Sequence, residues 1–182
     1  DRATVAEILS IANQKGGVGK TTTTVNLAAG LAKIGQRVLM IDLDPQGNAT
    51  MGSNLDKRAL PHTVYDVLWG ETSLAEARQT AESCGYDVLG ANRELAGAEV
   101  ELVSLENRER RLKDAIESVD ADYDFVLIDC PPSLGALSTA GLTAADHAVI
   151  VEVGVAAVSE PVLVRVDLLR VGEDLAIVGG IQ

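Results

Sequence analysis

Ser10-Ile-Ala-Asn-Gln-Lys-Gly-Gly-Val-Gly-Lys-Thr-Thr-Thr-Thr24 decides how this chain folds. It follows the apolar run Ile8 to Ile11 and opens into a segment with helical spacing at Leu27, Leu31 and Ile34. Strand, glycine loop and helix together make the setting of a phosphate-binding loop. Gly16, Gly17 and Gly19 carry no Cβ, so main-chain N–H groups can close on a polyphosphate across them and Val18. Lys20 brings a cation to the β- and γ-phosphates, the Thr21 hydroxyl suits Mg²⁺, and Thr22 adds a second hydroxyl. The helix that follows aims its N-terminal dipole at the same anion. A glycine-rich turn that binds nothing is the bland alternative. Three glycines, two lysines and a threonine run at this spacing argue against it.

The standard loop pattern G-x-x-x-x-G-K-[ST] asks for glycine at position 14, where this chain has Gln14 followed by Lys15. A second lysine directly before Gly-Gly marks the deviant Walker A loop, K-G-G-x-G-K-T. On these residues the chain resembles the ParA/Soj-type partitioning ATPases, in the wider group that includes MinD and the nitrogenase iron protein.

Composition sets the outer limits. The chain has 182 residues, nearly half of them hydrophobic, which is enough for one domain with a substantial core. No apolar run is long enough to span a membrane, and no charged-then-apolar leader precedes the first strand. Cys84 and Cys130 stand far apart, so neither a disulfide framework nor a zinc site is indicated; His62 and His147 are isolated. A cytoplasmic protein is expected. Acidic residues number 27 against 15 basic, a net charge of −12. A solvated acidic surface explains this, as does a halophilic source, and bulk charge is poorly suited to DNA.

After the loop, the helix is expected to run to Ile34 and stop at Gly35. Arg37-Val-Leu-Met-Ile41 reads as a strand buried on both faces, ending in Asp42-Leu-Asp-Pro-Gln-Gly-Asn48. Pro45 and Gly47 break the strand and leave Asp44 on a loop at its C-terminal end, the edge where open α/β sheets bind ligands. Turn formation and capping are the plainer roles for Asp42 and Asp44. Residues 52 to 62 read as a surface loop. Two short helices should follow, with capping boxes at Thr63/Asp66 and Ser73/Glu76. Trp69 is taken as packing.

Tyr86-Asp-Val-Leu-Gly90 reads as a strand, and the segment after it, with Leu95-Ala-Gly-Ala-Glu99, again resembles ParA chains. Glu106 to Val119 has helical apolar spacing at Leu112, Ile116 and Val119. Its basic cluster, Arg108, Arg110, Arg111 and Lys113, is interleaved with Glu106, Glu109 and Asp114, which favours a salt-bridged face over a nucleic-acid patch. Tyr123 to Asp129 is the next buried strand and closes on Asp129-Cys-Pro-Pro-Ser133, the Walker B arrangement. Cys130 is taken as packing. A strand at 146–151, a helix begun by Ser159-Glu-Pro161 and a last strand at 176–181 complete the pattern.

Strand and helix signals alternate throughout, so the expected fold is α/β: a mostly parallel sheet with helices on both faces, a P-loop NTPase of the deviant Walker A type. The resemblance implies one ATPase domain over residues 1–182, continued in family members by a C-terminal part that reads the adenine. It implies a slow, Mg²⁺-dependent, partner-stimulated ATPase switch in chromosome or plasmid partitioning, nucleoid- or plasmid-associated. Asp129 would hold the metal through a water, with Thr21, and Asp44 would orient the attacking water. Lys15 would cross an ATP-dependent homodimer interface to the partner's nucleotide. A ParB-like DNA-binding protein is the implied activator, non-specific DNA binding would be weak, and no membrane partner is implied. The alternatives are a MinD-like positioning ATPase, an iron–sulfur reductase, whose cluster-gripping cysteines Cys130 does not resemble in spacing, and a nucleotide-binding module that does not turn over.

Overall fold

The computed structural model describes residues 5–13, 15–17, 19–154 and 163–170. Among these residues seven strands form one sheet in the order β3-β4-β2-β5-β1-β6-β7. They are β1 (Glu7–Ala12), β2 (Val38–Asp42), β3 (Gln79–Ala81), β4 (Tyr86–Leu89), β5 (Phe125–Asp129), β6 (His147–Gly154) and β7 (Leu163–Arg170). The five central strands are parallel, while β3 and β7 run antiparallel at the two edges.

Continuous apolar strands need cover on both faces, and they have it. In β2 every residue is buried, yet alternate side chains enter different cores. Leu39 and Ile41 join Ile8, Val126 and Ile128 on one face, under α3 (Val64–Trp69), α5 (Leu95–Glu101), α6 (Arg111–Glu117) and α7 (Ala136–Ala144). Met40 joins Leu9, Ile11 and Leu127 on the other, under α1 (Lys20–Lys33) and α2 (Asn48–Gly52). The expected mostly parallel sheet with helices on both faces is what forms.

Local signals held in several places. Helix α1 ends at Lys33 and Gly35 takes a φ of +88°. Capping boxes at Thr63/Asp66 and Ser73/Glu76 start α3 and α4 (Leu74–Ala77). Others gave way. The helix expected from Glu106 begins only at Arg111, because residues 106–110 turn and Asn107 sits at positive φ. Arg110 pairs with Asp114 as a salt-bridged face requires, while Arg108 and Arg111 donate to the Val103 and Leu68 carbonyls instead. The helix expected to begin at Ser159 is corrected: β7 pairs with β6 from Leu163 on, its β-branched and leucine run suiting a sheet edge. Ser159, Pro161 and the strand expected at 176–181 lie outside the described residues. Short β3, hairpinned onto β4, had no alternating pattern long enough to be read.

Among the described residues no helix is long and apolar enough to cross a membrane. The described residues also include no group of three or more His, Cys, Asp or Glu able to hold a metal, and Cys84 and Cys130 are free.

Candidate nucleotide-binding site

Three neighbouring strands, β2, β5 and β1, end at one edge of the sheet and deliver the site. From β1 the chain enters the glycine loop, where Gly17 and Gly19 take φ of +71° and +84°, values a side chain would strain. No side chain caps α1 at Gly19 and no acidic residue lies in its first turn. The leading N–H groups of α1 are therefore left for an anion. Lys20 opens the helix, is buried, and donates from Nζ to the Lys15 carbonyl at 3.2 Å. Around Gly16, Gly17 and Gly19 there is open space where side chains would otherwise stand. Gln14 and Val18 lie outside the described residues.

The end of β5 carries Asp129, whose two oxygens are both engaged. Thr21 Oγ1 donates to Oδ2 at 2.8 Å, and Thr24 Oγ1 to Oδ1 at 3.0 Å. The Walker B aspartate and the Walker A threonine thus meet directly. Their hard oxygen donors suit Mg²⁺, with Thr21 and Asp129 the residues that would hold it. Thr22 is exposed at the same helix start.

The end of β2 supplies Asp42 and Asp44. In the parallel register Asp42 lies opposite Asp129. Asp42 is fully buried: Oδ2 accepts the Thr50 N–H and hydroxyl, and Oδ1 accepts the Asp44 N–H at 3.0 Å. Asp44 is half-buried and accepts the Gln46 N–H at 2.9 Å, which tightens the turn before Gly47. The turn-forming role read for these aspartates is therefore real, and it is Asp42 that organises the loop. The three loops are also tied to each other through the main chain. Leu43 N–H donates to the Asp129 carbonyl at 2.9 Å, and Cys130 N–H to the Ile11 carbonyl at 3.1 Å.

Asn13 belongs to the site and was not read from the sequence. Its Oδ1 accepts the Lys15 N–H at 2.9 Å while its amide donates to the Val151 carbonyl of β6. One side chain thus fixes where the loop leaves the sheet. Its place directly before the loop was the available signal. Lys15 itself projects into solvent, and its ammonium has no partner among the described residues.

This geometry coincides with a match to the AAA domain family over residues 6–160. The chain belongs to that family. Within the AAA domain family it is 51% identical over 146 residues to the sporulation initiation inhibitor protein Soj of Bacillus subtilis, covering 80% of this chain and 58% of that one. It is 48% identical to the chromosome partitioning protein ParA of Myxococcus xanthus over 148 residues, 81% of this chain and 52% of that one. A crystal structure described as cobyrinic acid a,c-diamide synthase from Mycobacterium smegmatis, with bound ATP analog and magnesium, superposes with a TM-score of 0.78 at 46% identity. That alignment covers 80% of this chain and 59% of the solved one. The chain thus spans a little over half the length of the relatives it matches. The ParA/Soj resemblance read from the loop is borne out.

The two facing carboxylates of this AAA-domain site have a pH signature. Burial pushes the Asp42 carboxyl up to about 7, with the neighbouring Asp129 charge a further cause. Burial likewise lifts Asp129 to about 6, against the Thr21 and Thr24 hydroxyls, which favour its charged form. Both values lie above those of an unfolded chain, near ~4. The folded state therefore holds extra protons between about pH 4 and these folded values, so the associated stability is full below about pH 4 and is lost as pH rises to 6 for Asp129 and 7 for Asp42. Without nucleotide or Mg²⁺, the Tm should fall between roughly pH 4 and 7 and level off above that, at about 2–4 °C per kcal/mol lost. Asp42→Asn should flatten that slope, because its amide cannot ionise. Thermal melts across pH check this; equal slopes in both proteins would contradict it.

Proposed function

We propose that residues 1–182 act as one P-loop ATPase domain in a ParA/Soj-type switch for chromosome or plasmid partitioning. The observation that carries this reading is the junction of Lys20, Thr21, Asp129 and Asp44 at the ends of three adjacent strands. Lys20 and the N-terminal N–H groups of α1 bind the phosphates. Thr21 and Asp129 hold Mg²⁺, which when bound neutralises phosphate charge. The exposed backbone of Gly16, Gly17 and Gly19 lies along the polyphosphate, and Thr22 adds a hydroxyl at the helix start. Asp44 orients the attacking water from the neighbouring strand end. Lys15, exposed and unpaired among the described residues, reaches the nucleotide of a second copy in an ATP-dependent homodimer. Hydrolysis is slow until a ParB-like DNA-binding activator engages the dimer. The protein works in the cytoplasm at the nucleoid or on a plasmid, with at most weak non-specific contact between this acidic chain and DNA.

The deciding experiment is Asp44→Ala. Asp44 spends one oxygen on its own turn and lies on a different strand end from the phosphate loop. ATP binding and ATP-dependent dimerisation should persist, while turnover falls by about 10²–10⁴-fold, the range of a positioned proton acceptor. Binding by titration calorimetry beside phosphate release gives both quantities. Loss of ATP binding would make Asp44 a structural residue and leave the water without an orienting base.

A further inference from the structure

Between Asp129 and α7 runs Cys130-Pro-Pro-Ser-Leu-Gly135, the loop that follows the Walker B strand. Its near end is tied to β1 by the Cys130 N–H. Its middle, Pro132, Ser133 and Leu134, is exposed. Its far end is held from outside. Gly135 gives α7 no side-chain cap, and the cap comes instead from Glu99 on α5, whose Oε2 accepts the Ala136 N–H at 2.7 Å. Ser138, one turn into α7, reaches back to the Pro131 and Ser133 carbonyls. A Cβ on residue 135 would stand 2.6 Å from Glu99 Cδ, so glycine is what lets the backbone lie against the carboxylate. The second oxygen, Oε1, is buried without a partner among the described residues.

We propose that Glu99 is a positioning residue for nucleotide turnover: it pins the far end of the 130–135 loop, making Ala136 the hinge on which that loop moves. A carboxylate at a helix N-terminus opposes both the unsatisfied N–H groups and the positive end of the dipole. With the start of α7 fixed this way, a displacement of Ser133 or Leu134 exchanges the Ser138 hydroxyl between the Pro131 and Ser133 carbonyls without unwinding the helix. Glu99 stands on α5 beside Leu95 and Ala98, both fully buried, so the pin is anchored in the core and not in another loop. The inference rests on the ATPase reading above for its kinetic part only.

The test uses Glu99→Ala and Glu99→Gln, the latter retaining an acceptor oxygen. Hydrogen exchange in residues 131–140 without nucleotide should speed up about tenfold in Glu99→Ala, with residues 10–24 unchanged. In turnover, kcat should fall about tenfold in Glu99→Ala with KM for ATP within about twofold, and Glu99→Gln should recover most of it. A purely structural role would lower Tm and raise KM together instead. Wild-type kcat in Glu99→Ala, or no recovery in Glu99→Gln, overturns the proposal. Should wild type itself fail to hydrolyse ATP, the ATPase reading fails and exchange still decides. Faster nucleotide-free exchange at 131–140 in Glu99→Ala supports the pin, and equal exchange in both proteins refutes it.

Discussion

Lys20→Ala should bind ATP at least about 10²-fold more weakly than the wild-type protein, with circular dichroism unchanged. Lys20 is buried at the head of α1, and its ammonium donates to the neutral Lys15 carbonyl. An ammonium taken out of water beside a neutral acceptor is under-compensated, and a polyphosphate is the counter-charge that fits it. Hydrogen bonds to charged groups contribute about 1.5–3 kcal/mol each, so losing two phosphate contacts amounts to roughly 10²–10⁴ in affinity. The loop amides cannot replace that charge, because each carries only a partial one. Titration with ATP and ADP, with and without Mg²⁺, measures the loss. Wild-type affinity in the variant would remove the phosphate-loop assignment and everything built on it.

Lys15→Gln should separate binding from assembly. Gly16, Gly17, Gly19, Lys20 and Thr21 all remain, so one subunit still closes on ATP. Asn13 contacts the main chain of residue 15 and not its side chain, so the loop exit should be undisturbed. What disappears is an exposed cation with no partner among the described residues of its own chain. Placed on the other subunit's phosphates, it would do the work of an arginine finger, on the order of 10³–10⁵ in rate. Its loss also leaves phosphate charge uncompensated in a closed interface, which weakens the dimer. Light scattering in ATP, beside phosphate release, reads both effects. A variant that dimerises and hydrolyses like wild type would defeat the trans role of Lys15 and leave the ATP site intact.

Much of this molecule was legible from pattern alone. The loop and the two apolar strands ending in aspartate announced a parallel sheet with its chemistry at one edge. They could be read because a strand covered on both faces has no polar positions to blur it. Thr63 and Ser73 were legible for a related reason: a capping box is local chemistry, complete within four residues. What stayed hidden depended on distant partners. Asn13 matters through Val151, Asp42 through Thr50 and Asp129, and Glu99 through Ala136; no spacing rule encodes such pairings. The Glu106 segment failed differently, since helical apolar spacing persists there although the backbone turns before Arg111. The β7 error arose where a proline near an expected helix start outweighed the strand propensity of the residues after it.

The opposite end of the sheet gives the paired carboxylates their meaning. At the base of β2 and β5, Arg37 grips Asp124 with its guanidinium, at 2.8 Å, and its carbonyl accepts the Asp124 N–H. Both groups are partly exposed, so the pair adds little to stability. Yet as many residues separate Arg37 from Asp42 as separate Asp124 from Asp129. A slip of one residue along either strand would turn one aspartate to the other face of the sheet. The two strands therefore behave as a vernier: opposite charges are matched at one end, and like charges are brought level at the other. Deleting or inserting a single residue between those marks should be far more harmful to activity than neutralising Arg37 itself, because it breaks the alignment and not merely the clasp.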